Sequence, residues 1–215
     1  KFIQITDYLF ITWGTSWIYR LKENNKTVAN CHKQKPDLFT REKLSSDYIF
    51  KKYSVLFEEI KKINPDLKIV LTVSPVRHLK DGFVENQRSK AELILAAEML
   101  EREFNDISYF PSYEVLIDDL RDYRFYNDDL LHPSQSAIKY LWELFSDTYF
   151  DNETKNLNKK IKKINSAFNH RLQFPESKSS KDFANTHLSM INDIKKQNPG
   201  LDFENELEYF KKIVR

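Results

Sequence analysis

Glycine is scarce: three residues in 215, against a usual share of roughly 7%. The phosphate-cradling loops G-x-G-x-x-G and G-x-x-x-x-G-K need two or three glycines within a few positions. Gly14, Gly82 and Gly200 stand far apart, so NAD, FAD and P-loop chemistry are excluded and no cofactor is expected. Cysteine occurs once, as Cys31. That rules out an intrachain disulfide and every C-x-x-C zinc site within these residues, and no metal is expected. An excess of one charge is also lacking, with Lys+Arg 34 against Asp+Glu 32, where a nucleic-acid binder usually shows a basic surplus. No apolar run approaches the 18 or more residues of a membrane span. The first stretch, KFIQITDYLFITWGTSW, has neither an initiator Met nor the layout of a signal peptide. It opens almost directly on a strand pattern, so the expectation is a chain that begins inside a domain, its N-terminal part lying upstream. A cytoplasmic location is favoured.

What the chain has is apolar and aromatic bulk: 40% hydrophobic residues, with 16 Phe and 11 Tyr, enough for a core in one sizeable domain. Residues 8–13 (YLFITW), 68–73 (KIVLTV) and 107–110 (ISYF) are short apolar runs closed by Gly14, Ser74-Pro75 and Pro111. They read as strands buried on both faces. Between them, Ile49, Tyr53, Leu56, Ile60 and Ile63 step at helical spacing within 41–63, and Asn64-Pro65 stops that helix. An Asp81-Gly82 turn precedes a second helix marked by Leu93, Ala96, Leu100 and Phe104. A third, after Pro133-Ser134, carries Ile138, Leu141, Phe145 and Tyr149. Alternating strands and helices predict an α/β fold, a parallel sheet covered by helices on both sides. From about 151 the pattern turns helical throughout, with Lys159, Lys160, Lys162 and Lys163 reading as a solvated face. The division expected is an α/β domain over 1–150 and a helical C-terminal extension over 151–215.

In open parallel sheets, ligands bind beyond the carboxyl ends of the strands. Gly14-Thr15-Ser16, Pro75-Val76-Arg77-His78 and the segment leading to Asp129 and His132 all belong there. The stretch NDDLLHPS sets Asp129 three residues before His132. A histidine acting as base needs its second ring nitrogen held by an acceptor, and an aspartate in a turn before a helix can supply it. The plainer reading makes Asp129 a helix cap and His132 an ordinary polar side chain. Chance alone would supply such a spacing about once in three chains with 16 Asp and 5 His. Asp118, Asp119, Asp122, Asp128 and Asp129 could together attract a divalent cation. Arg121 and Arg124 stand among them, and mutual ion pairing is the simpler account. Cys31 and His32 are adjacent, so their side chains diverge and do not make a thiol–imidazole pair.

The stretches TWGTSWIY (12–19), ANCHK (29–33), TVSPVRHLKDGFVENQRSKAEL (72–93), YFPSYE (109–114), DDLRDYRFYNDDLLHPS (118–134) and HRLQFP (170–175) resemble the GSCFA family, itself similar to SGNH/GDSL hydrolases. The resemblance implies a flavodoxin-like three-layer fold and a serine esterase or acyltransferase. Asp129 would orient His132, the base. Gly14 and Ser16 would face the oxyanion, and His32, Arg77 and His78 would contact substrate. Ser16 stands where SGNH enzymes place asparagine, and the G-S-C-F-A block that would hold the nucleophile does not occur in these residues. The implied partner is a small-molecule or carbohydrate ester, with no nucleic acid. A non-catalytic binding or scaffold protein on the same fold, and a metal-dependent hydrolase, are the alternatives.

Overall fold

A computed structural model describes residues 2–28, 30 and 33–215. The chain divides into two compact units, Lys1–Glu143 and Leu144–Arg215. The first runs through β1 (Tyr8–Trp13), β2 (Trp17–Leu21), β3 (Thr27–Val28), β4 (Phe39–Lys43), α1 (Ser46–Ile63), β5 (Lys68–Val73), α2 (Gly82–Glu103), β6 (Ile107–Phe110) and the short α3 (Ser112–Glu114). It closes with the start of α4 (Gln135–Tyr149). Strands β1, β5 and β6 form a parallel sheet in that order, Tyr8 lying opposite Lys68 and Ile69 opposite Ile107. Parallel neighbours need long crossovers, and the segments that contain α1 and α2 provide them. The fold is α/β, as the alternation predicts.

β5 is the central strand, which explains its unbroken apolar run. Ile69, Leu71 and Val73 point to one face, at 1%, 0% and 0% exposure, while Val70 on the other keeps 2%. The first face meets Ile49, Phe57 and Ile60 of α1 and Leu93, Ala96 and Leu100 of α2. β1 differs from expectation. It is an edge of the sheet, and Tyr8 and Phe10 remain 42% and 47% exposed. The stripe of α1 is the expected one at Ile49, Tyr53 and Ile60, but it takes in Phe57 and leaves Leu56 and Ile63 47% and 54% exposed. Helix α1 starts where Ser45 Oγ accepts the Tyr48 amide at 3.3 Å. It ends at Asn64, whose side-chain amide donates to the Ile3 and Thr6 carbonyls at 2.9 and 2.8 Å.

A second sheet, antiparallel in the order β3-β2-β4, takes residues to which the sequence pattern assigns no element, apart from 41–43, read as the beginning of a helix. The inward positions of β4 are Phe39, which is buried, and then two cations. Arg41 forks onto both oxygens of Asp81 and lies 4.8 Å from the Trp17 ring. Lys43 reaches Glu85 at 3.0 Å. These pairs fasten the sheet to the loop and first turn of α2. Gly82, read as a turn residue, opens α2 with φ +84, a backbone state that glycine adopts freely. Beyond β6, α3 passes into a π-helical turn over Val115–Leu120, then Arg121 at φ +37 and a 3-10 turn at Tyr123–Phe125.

The second unit holds α5 (Asn152–Phe168), α6 (Lys178–Gln197) and α7 (Glu204–Val214) around Ile164, Ala184, Ile191, Ile194 and Phe210. Asp151 and Ser177 cap α5 and α6 by accepting the Thr154 and Ser180 amides. Lys159, Lys160, Lys162 and Lys163 are exposed, as their pattern predicts. Among the described residues no helix is long and apolar enough to cross a membrane.

Candidate functional site

The segment carrying Asp129 and His132 is a loop closed at its neck. Tyr126 and Pro133 form an antiparallel bridge. The Asn127 amide donates to the His132 carbonyl at 2.8 Å, and the Ser134 amide to the Phe125 carbonyl at 2.8 Å. At the tip, the Leu130 amide meets the Asn127 carbonyl at 2.9 Å, which Leu130 achieves at φ +57. A side chain with a Cβ is strained there, and such strain gathers at functional sites. Within the loop, Asp129 Oδ1 accepts the Leu131 and His132 amides at 2.8 and 3.0 Å. Oδ2 lies 2.6 Å from His132 Nδ1. The His132 amide, then its ring, then the Leu131 amide hold the Asp129 carboxyl down to about 2. Helix α4 is capped by Ser134 Oγ, which accepts the Ala137 amide at 3.4 Å. Asp129 is therefore not the cap of that helix.

Arg77, beyond the end of β5, clasps this loop. Its amide donates to Leu131 O at 3.2 Å and its guanidinium to Leu130 O at 3.1 Å. The guanidinium also stacks 4.0 Å from the Tyr126 ring. These contacts tie the dyad loop to the carboxyl end of the sheet, so Arg77 supports the loop that carries His132.

Gly14 lies at the same edge. A Cβ placed on it would stand 3.3 Å from His78 Nε2, so the absent side chain is what lets the imidazole lie against the turn. The His78 amide donates to Asn86 Oδ1 at 2.8 Å. The residue as a whole is accessible. Desolvation of its ring nevertheless comes first in holding the imidazole below its ordinary value, with the charges of Lys90 and His132 adding to it. Ser16 does not face the site. It is 1% exposed, its amide and hydroxyl both donating to Ser89 Oγ at 2.8 and 3.1 Å. The oxyanion role expected of Ser16 therefore has no free donor there. His32, and Cys31 beside it, lie outside the described residues.

Asn86, Ser89 and Lys90 were not singled out from the sequence. All three are buried on one face of α2, in line with Leu93 and Leu100. Their signal is three polar residues at helical spacing on the core-facing stripe. Of the acidic residues of 118–122, Asp118 pairs locally with Arg121 at 2.9 Å, and Asp119 accepts the hydroxyl of Tyr140, 21 positions on, at 2.6 Å. Among the described residues no three His, Cys, Asp or Glu gather as metal ligands. Two grooves of about 510 and 550 Å³ lie along α5 and α6 of the second unit. Neither contains a predicted site residue, and the lowered carboxyl of Asp151 in the second is accounted for by its capping of α5 through the Thr154 amide.

The model of the GSCFA family matches residues 1–145, and that of the C-terminal domain of GSCFA domain proteins matches 161–215. Neither the curated proteins nor the solved structures returned a match.

Proposed function

The chain belongs to the GSCFA family, and from that premise we propose that it carries the acid and base of an SGNH-type serine hydrolase or acyltransferase. Its substrate is an ester, with an O-acyl carbohydrate as the candidate class. The observation that carries this reading is the contact of 2.6 Å between Asp129 Oδ2 and His132 Nδ1. The carboxylate is fixed by two amides, so it orients the ring rather than swinging with solvent. Nδ1 faces Asp129, and proton exchange with a reactant falls to Nε2, the role of a general base. His78 and Gly14 stand at the same strand ends, where negative charge on a reacting oxygen would develop.

The test is Asp129→Asn in a form of the protein that carries a G-S-C-F-A block, assayed on a short acyl ester with thermal melting as the folding control. In a comparable triad the loss is on the order of 10⁴, because the wrong tautomer is held. Unchanged turnover would remove Asp129 from the mechanism, and absent turnover in the unmutated protein would remove the hydrolase reading. The second reading, a non-catalytic binding or scaffold protein, draws support from the serines at this edge. Ser16 Oγ is bound to Ser89, Ser74 Oγ accepts the Val76 amide, and Ser112 Oγ donates to the Val73 carbonyl. None is poised as a nucleophile.

A further inference from the structure

Lys90 is 1% exposed, among the most buried side chains of the chain. A buried ammonium is costly unless it is paired or fully hydrogen-bonded. Its Nζ donates to the carbonyls of Gly14 and Ser74, both at 2.6 Å. Those carbonyls follow directly on β1 and β5, so one cation spans the seam between two parallel strands at their functional ends. A helix-forming residue on the core stripe would serve packing better as leucine or alanine. Charge here needs another reason.

The neighbours on α2 supply it. Ser89 Oγ accepts the Ser16 amide at 2.8 Å and contacts Thr15 Oγ1 at 2.9 Å. Asn86, one turn earlier, holds the His78 amide. The three polar residues of this face thus reach Gly14, Thr15, Ser16, Ser74 and His78. We propose that Lys90 is a positioning residue: its ammonium draws the Gly14 and Ser74 carbonyls together and fixes where the Gly14 turn meets the His78 imidazole. A second consequence is electrostatic. The groups whose charge the His78 ring feels are Lys90 from α2 and His132 from the dyad loop. The ring of Tyr113, just after β6, lies 5.7 Å from the Lys90 ammonium. The positive charge behind the Gly14 turn adds to desolvation in keeping His78 neutral and leaves it able to share a hydrogen bond with a substrate oxygen.

The test reads magnetic resonance on the whole chain and needs no substrate. It rests on the hydrolase reading only for calling the region a site, so absent esterase activity would remove that reading and leave this one standing. In the wild type, burial lowers the Lys90 ammonium to about 8. The carbonyl ¹³C resonances of Gly14 and Ser74 should then shift together with a midpoint near that value, tracking the Lys90 Cε signal. In Lys90→Met the His78 titration should move upward, toward the ordinary imidazole value of roughly 6.5, while Lys90→Arg should keep it low. A Lys90 that titrates like a surface lysine, with both carbonyls unmoved, overturns the proposal. So does a folded Lys90→Met with an unchanged His78 titration. Should Lys90→Met fail to fold, the wild-type titration decides alone.

Discussion

At Asp129 the two oxygens do different work, and a single substitution separates them. Oδ1 shapes the loop through the Leu131 and His132 amides, while Oδ2 faces the imidazole. Asparagine retains one carbonyl oxygen for the amides but presents an NH₂ to Nδ1, which then must accept. Asp129→Asn should keep the fold and hold the wrong tautomer, whereas Asp129→Ala should also loosen the loop, seen as broadened Leu130 and Leu131 amide signals. The charge has a testable pH signature. Its folded-state value is depressed to about 2 from an ordinary 3.8. The stabilisation it contributes is complete above the ordinary value and is lost as pH falls through about 2. A ¹³Cγ titration should place the midpoint there, and a midpoint near 3.8 would mean the loop is open in solution. His78 has the same sign for a different reason: its imidazole is lowered by burial, so acid that charges it below its ordinary range disfavours the folded state. The D-x-x-H spacing was legible in the sequence because both residues lie in one local turn. The His78–Gly14 and Lys90–Gly14 contacts were not, because they join residues 64 and 76 positions apart.

At the scale of elements, the three parallel strands could be read to the residue, since their apolar runs are bounded by Gly14, Ser74-Pro75 and Pro111 and their edges coincide with those breaks. The small sheet could not. Its strand β4 alternates correctly, but after Phe39 the inward positions are Arg41 and Lys43, whose partners are carboxylates from a distant loop and helix. A period of two drawn in cations reads as a polar loop. For α1, two apolar residues side by side left the stripe ambiguous, and contact with α2 and the sheet selected Phe57 over Leu56. Two measurements follow. Phe57→Ala empties a position with 0% exposure and should cost about 3–5 kcal/mol in urea denaturation, while Leu56→Ala, half in solvent, should cost far less. Arg41→Ala should cost about 1–3 kcal/mol, since Asp81 loses a bidentate charged partner. Arg41→Lys should recover only part, because an ammonium cannot reproduce the fork or its stacking on Trp17.

For the molecule as a whole, the two units hold separate cores, and every residue proposed for chemistry belongs to the first. That unit carries His132, the proposed base, with the Asp129 carboxylate against its ring, together with a glycine turn and a second imidazole held below its ordinary value. It offers no serine hydroxyl that is both accessible and free of structural bonds at the carboxyl ends of β1, β5 and β6, among the described residues. Ser89 is shared between Thr15 and Ser16, and Ser134 lies 2.8 Å from Ser136 Oγ while capping α4. A base without a nucleophile can at best activate water. The 215-residue chain should therefore leave short acyl esters unhydrolysed and take no label from a serine-directed phosphonate, as read by intact-mass spectrometry. Ser16 is the decisive position, because it follows Gly14 just beyond the end of β1. Its burial predicts no adduct. An adduct on Ser16 would mean that α2 releases the turn in solution, and it would place the nucleophile inside this chain. An adduct in a longer form of the protein, on the serine of a G-S-C-F-A block and lost on His132→Gln, would instead join that serine to the base described here.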